Sequence, residues 1–148
     1  MPDFAIRSST EEIMDDLACS GEVLHQTLRE LEVINRLLGG NYVTIQGVKT
    51  ILKNYGNKQS VMLADLGCGG GDILKLLARW FRGKELKADF LGIDANPNIV
   101  AFAARNTSDF PEIDYETVNI FSDPLRVTRF DIVTATLFFH HFSTEQLS

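Results

Sequence analysis

Residues 61–80 read Val-Met-Leu-Ala-Asp-Leu-Gly-Cys-Gly-Gly-Gly-Asp-Ile-Leu-Lys-Leu-Leu-Ala-Arg-Trp, and this stretch decides the fold. Val61 to Ala64 is an apolar run of strand length, and Ile73 to Trp80 has the spacing of a helix. Between them, Asp65-Leu66-Gly67-Cys68-Gly69-Gly70-Gly71-Asp72 forms a turn almost without side chains. Near-alternating glycines at 67, 69 and 71 let the backbone approach a ligand where a Cβ would collide. The following helix aims unsatisfied N–H groups and its positive dipole end at the same place. A polar and partly anionic group is expected across this turn.

The spacing narrows the ligand. Counted from Gly67, the dinucleotide fingerprint G-x-G-x-x-G would need a third glycine where Asp72 stands. No Gly-Lys-Ser/Thr follows, so a phosphate-binding Walker loop is excluded. The pattern present is acid-x-Gly-x-Gly-x-Gly over Asp65, Gly67, Gly69 and Gly71. In this it resembles the first motif of the class I S-adenosylmethionine-dependent methyltransferases. The resemblance implies that Asp65, Gly67, Gly69, Gly70 and Gly71 cradle that cofactor.

The rest of the chain repeats the strand-then-polar-turn pattern. Ala88 to Ile93 reads as a second strand ending at Asp94-Ala95-Asn96-Pro97. A carboxylate at a strand's carboxyl end can accept two ribose O–H bonds at once; taken alone, Asp94 would equally be a solvated loop acid. Asn96 is suited to cap a helix that Pro97 begins, running through Ile99 to Arg105. Ile113 to Val118 alternates as a half-buried strand does and leads into Asn119-Ile120. The resemblance places those two residues at the adenine edge, with Asn119 also suited to forming a turn. Phe130 to Phe142 reads as a fourth strand and its loop. Its Phe-Asp start and His-His end resemble the quinone-biosynthesis and small-molecule branch of the family. There Thr136 matches a small hydroxyl position lining the methionine part of the cofactor site, and Ala95 adjoins the ribose acid.

Composition excludes several alternatives. The 148 residues suffice for one domain, and 45% apolar content suffices for a core. A formal net charge of −6 without a basic tract argues against nucleic acid as the main partner. Cys19 and Cys68 are too few and unpatterned for zinc or a disulfide framework, no metal is expected, and Cys68 reads as a small packing residue. No run is long enough to span a membrane or to act as a signal peptide, so a cytoplasmic location is the default.

Two segments are expected: an amino-terminal helical piece over 1–57, and an S-adenosylmethionine-binding Rossmann-like core over 58–148 that is incomplete at its carboxyl end. In the first, 11–17 reads as a short helix and Glu22 to Leu38 as a long one stopped by Gly39-Gly40. Thr44 is expected to cap a third helix over 45–55, ended by Gly56-Asn57. In the core, an α/β fold follows, with a parallel sheet of order 3-2-1-4 truncated after the fourth strand. Its helices should share one face by the right-handed crossover rule. The opposite face is then expected to be largely bare, and to favour self-association as a dimer.

The resemblance implies methyl transfer to a small-molecule acceptor, aromatic or quinone-like, with this chain holding the cofactor half. An NAD(P)-dependent oxidoreductase and a non-catalytic cofactor-binding or assembly module are the alternatives. An oxygen acceptor would benefit from a base. His140 and His141 are the histidines placed to serve, although packing at the strand's end is the commoner role for such residues. Asp72 and Asp123 read as capping or turn residues. Whatever the acceptor, Asp94 and Gly69 must face one shared cavity.

Overall fold

The computed structural model describes residues 17–53, 60–127, 129–139, 142 and 145. Two helices lead, α1 (Gly21–Leu37) and α2 (Gly40–Lys53). They are followed by β1 (Val61–Leu66), α3 (Asp72–Gly83), β2 (Ala88–Asp94), α4 (Pro97–Asn106), β3 (Ile113–Thr117) and β4 (Ile132–Thr134). The four strands form one sheet in the order β3-β2-β1-β4, every pair parallel. This is the expected Rossmann-like α/β arrangement. The order reverses between β1 and β4, and ligands of such sheets bind beyond the carboxyl ends of the strands at that switch point.

One sheet face holds the larger core. Leu63, Phe90, Ile113 and Ile132 pack under Leu74, Leu77, Ala78 and Phe81 of α3, and Phe81 meets Phe90 edge-on at 5.4 Å. Tyr115 of β3 joins this core and shares a 3.0 Å hydrogen bond with Thr107, the carboxyl cap of α4. Both crossover helices therefore cover the same face, as right-handed connections require.

The opposite face is not bare. Ala64, Leu91, Ile93 and Val118 are buried there beneath Ile120, Leu125, Val127 and Phe130. The segment after β3 is too turn-rich for a helix, yet it lays its apolar side chains across the central strands. Burying them lowers the exposed apolar area at the cost of ordering only a short loop. Val133 of β4 stays 53% exposed, so the cover ends at that edge.

The front helices differ in one boundary from expectation. Gly39, with φ of +81°, ends α1 as a left-handed residue, and its carbonyl then accepts from the N–H groups of Tyr42 and Val43 to open α2. Thr44 consequently lies inside α2 and does not cap it. The expected helix over 11–17 and the stop at Gly56-Asn57 lie outside the described residues, apart from Leu17.

Candidate functional site

A cavity of about 820 Å³ opens at the carboxyl ends of β1, β2 and β4. Its wall includes Asp65, Gly67, Gly69, Gly70, Asp94, Ala95, Asn119, Ile120 and Thr136, all from four separate stretches of sequence. Asp94 and Gly69 thus share one space. The fold brings these residues together because each follows a parallel strand, and all such strands end on the same side of the sheet.

The glycine turn works differently at each position. At Gly69 (φ +50°) a Cβ would meet no atom within 4 Å and would project into open space. At Gly71 (φ +78°) it would collide with the Tyr115 hydroxyl and crowd Thr107. Gly71, expected to cradle the ligand, is not among the residues of the cavity wall; its lack of a side chain lets α3 close against β3 and α4.

Local hydrogen bonds orient the other residues. The Asp94 carboxylate accepts the Asn96 N–H at 3.0 Å, which holds it at the rim. Asn96 caps α4 by accepting the Asn98 N–H at 2.8 Å. The Asn96 and Asn98 side-chain amides both donate to the Cys19 carbonyl, at 3.0 and 3.2 Å, pinning the segment before α1 beside this rim. Asn119 accepts the Phe121 N–H at 3.1 Å, so it does form a turn while lining the cavity. Asp123 accepts the Asn119 N–H at 2.9 Å, a turn role as expected.

Asp65 is 2% exposed and accepts a 2.7 Å hydrogen bond from the Thr134 hydroxyl. Burial, with a smaller contribution from the nearby Asp94 charge, pushes its carboxyl up to about 7 against the restraint of that bond. Asp72 is pushed up to about 6, first by burial and then by Glu32, while Asn106 and Lys75 oppose the rise. The Asn106 amide bridges the Gly70 carbonyl (2.8 Å) and Asp72 (3.1 Å), and Lys75 donates to Asn106 at 3.0 Å. The first turn of α3 therefore presents its own carboxylate, Asp72, to the cavity. The Cys68 thiol is buried and held well above its ordinary range by burial, consistent with packing and not with nucleophilic attack.

Three carboxylates, Asp65, Asp72 and Asp94, line the wall, and among the described residues no Lys, Arg or His does. Such a wall favours a ligand carrying positive charge and disfavours a pyrophosphate.

Sequence reasoning missed part of the wall. Leu28, Leu31 and Asn35 of α1 contribute, and Leu28 is only 2% exposed. Leu28 and Leu31 share one face of α1 by helical spacing, and such a face reads the same in sequence whether it packs on a core or borders a cavity. Phe121, Phe138 and Phe142 also contribute, with Phe142 meeting Phe138 at 4.7 Å and Phe121 at 4.8 Å. The Phe138 ring lies over Gly67, where a Cβ would strike it. Nothing in the local sequence shows that residues 121 and 142 meet. His140 and His141 lie outside the described residues.

A methyltransferase-domain family model matches residues 63–148, more than half of the chain, and the chain belongs to that family. Among curated proteins it is similar to the non-reducing polyketide synthase mapC of Penicillium roqueforti, at 28% identity over 102 residues. That match takes in 66% of this chain and 4% of the synthase. Two solved structures share its fold. A Methanococcus maripaludis protein assigned as an S-adenosyl-L-methionine-dependent methyltransferase gives a TM-score of 0.61 at 13% identity, covering 94% of this chain and 57% of that one. The plantazolicin methyltransferase BpumL, solved with a triazolic desmethylPZN analog and SAH, gives 0.60 at 17% identity, covering 79% and 43%. The chain thus spans a small fraction of the synthase and about half of each solved relative.

Proposed function

We infer that this chain binds S-adenosylmethionine in the β1–β2–β4 cavity and serves methyl transfer to a small, apolar acceptor. The observation that carries the reading is the carboxylate-lined wall, without described cations, beside a glycine turn at the sheet's switch point. The cofactor supplies an activated methyl group on a positively charged sulfur, so the protein's work is alignment and exclusion of water.

In this reading Asp94 accepts the two ribose hydroxyls, Ala95 lies alongside, and Asn119 with Ile120 borders the adenine. Asp65 and the turn at Gly67, Gly69 and Gly70 hold the methionine end, with Thr136 at its side. A carboxylate at Asp65 attracts the cofactor's positive charges, and Gly69 leaves the room a side chain would occupy. Phe121, Phe138 and Phe142, with Leu28 and Leu31, supply an apolar surface that suits an aromatic or quinone-like acceptor and keeps water out. The stretch shared with a polyketide synthase supports a small-molecule acceptor.

An NAD(P)-dependent oxidoreductase is disfavoured because a pyrophosphate would face three acids. Calorimetric titration separates the two: S-adenosylhomocysteine should bind and NAD should not. NAD binding with no response to S-adenosylhomocysteine would reverse the assignment. For the acceptor side, His140→Ala and His141→Ala test a base role; unchanged turnover and pH profile in both would remove it.

A further inference from the structure

We propose that the side-chain amide of Asn35 receives the carboxylate at the cofactor's methionine end. The proposal rests on the cofactor reading above and adds a residue to it. S-adenosylmethionine carries a carboxylate beside its sulfonium and ammonium charges, and among the described residues the wall offers that anion no Lys, Arg or His. A neutral donor has to take it, and hydrogen bonds to a charged group are the stronger kind.

Among the described residues, three neutral side chains of the wall carry a strong N–H or O–H donor: Asn35, Asn119 and Thr136. Asn119 follows β3, at the opposite edge of the sheet from β4, and its side chain forms the turn to Phe121. The Thr136 hydroxyl shares a 2.7 Å hydrogen bond with Thr44. Asn35 makes no side-chain hydrogen bond among the described residues, and its amide brings two N–H donors to the cavity.

The course of α1 carries Asn35 to the methionine end. Leu28 packs with Ile99 of α4, which borders the cavity as Asp94 does. Two turns further on, about 10 Å along the helix, Asn35 lies beside Gly40, where a Cβ would come 3.6 Å from its Oδ1. Gly40 and Thr44 are one turn apart on the same side of α2, and Thr44 meets Thr136 in the loop after β4. α1 therefore runs from the ribose rim, after β2, to the end of the cavity beyond β4.

Charge is divided along that line. Asp65, Asp72 and Asp94 stand in the wall, and Glu32 acts on Asp72. Residues 33–64 and 132–144, which supply Asn35, Gly40, Thr44 and Thr136, contain no Asp or Glu. α2 starts beside Asn35 with no acid in its first turn, so the positive end of that helix adds to the attraction. A zwitterionic end group fits this division, its ammonium toward Asp65 and its carboxylate toward Asn35.

The test is calorimetric titration of the whole chain with S-adenosylmethionine and with its decarboxylated form, which keeps the sulfonium and the amine. The ratio of the two affinities is the readout, because any loss of folded protein weakens both ligands alike. Asn35→Leu should lower the affinity for S-adenosylmethionine by about tenfold relative to the decarboxylated ligand. Asn35→Asp, which sets a like charge against the carboxylate, should lower that ratio further. Circular dichroism should show both variants folded. A ratio unchanged from the wild type in either variant, whether both affinities fall together or neither does, overturns the assignment of Asn35 and leaves the cofactor reading intact. A wild-type chain that binds neither ligand overturns the cofactor reading, and this inference with it.

Discussion

The Thr44 hydroxyl of α2 lies 2.7 Å from the Thr136 hydroxyl in the loop after β4, joining residues 92 positions apart across the edge of the cavity. The contact is partly buried, and it makes the front helices part of the site's support. Thr44→Val keeps the side chain's shape and removes the bond. A loss of about 1 kcal/mol in stability is expected, with a several-fold weaker S-adenosylhomocysteine affinity as Thr136 is released. Thr44→Ser should restore both. Unchanged affinity in Thr44→Val, measured calorimetrically, would confine the contact to stability.

The two glycines of the turn should respond in opposite ways. Gly69→Ala meets no atom, so it should destabilise the fold by only about 1 kcal/mol, for the left-handed backbone, while ligand affinity falls by about tenfold or more. Gly71→Ala drives a methyl into Tyr115 and should destabilise by several kcal/mol, on the order of an overpacked core. Denaturant melts beside binding isotherms distinguish the two. Equal effects of both substitutions on both measurements would contradict the division of roles.

Protonation of Asp65 should couple to stability and to binding. Folding raises its carboxyl from an ordinary 3.8 to about 7, so the folded chain holds this proton more tightly than the unfolded one. The associated stability is present below about pH 4 and is lost as pH rises toward 7, a change on the order of a few kcal/mol. Asp72, raised to about 6, adds in the same direction over a narrower window. The melting temperature of the ligand-free chain should therefore carry a falling contribution between about pH 4 and 7, and Asp65→Asn should flatten that slope.

A cationic ligand should reverse the preference by stabilising the Asp65 carboxylate. S-adenosylmethionine affinity is expected to rise with pH up to about 7, with proton release on binding. Calorimetry in buffers of different ionisation enthalpy detects that proton. Affinity independent of pH between 5 and 8 would remove Asp65 from the site.

Asp94→Asn keeps the Asn96 amide contact but weakens acceptance of two hydroxyls. The expected outcome is an affinity loss of about tenfold or more for S-adenosylhomocysteine, and a much smaller loss for its 2′-deoxy analogue. Equal losses for the two ligands would separate Asp94 from the ribose.

Most of the sheet was readable in advance because each strand announces itself locally. Val61 to Ala64 and Ala88 to Ile93 are apolar runs stopped by an acid and a turn, and the right-handed crossover rule then orders them. The Asn96–Pro97 helix start was readable for the same reason, since a cap acts within three residues. The start of α2 was not. Gly39 both closes one helix and opens the next through its carbonyl, and Thr44, left inside α2, turns its hydroxyl to Thr136 in a segment far away in sequence. The cover over Ala64 and Ile93 was likewise hidden, because the segment 120–130 has turn chemistry locally and acquires its apolar role only against the sheet.

The chain's own order of residues determined the strand-turn-helix units, the parallel sheet and the side-chain-poor bend, since these follow from periodicity and steric freedom over a few neighbours. Tertiary structure alone decided that Gly71 serves packing while Gly69 faces open space, that Asp72 joins Asp65 and Asp94 in one wall, and that Leu28, Phe121 and Phe142 border it. Charge, exposure and a carboxyl group's hold on its proton depend on which distant segments exclude water, and no window of sequence contains them.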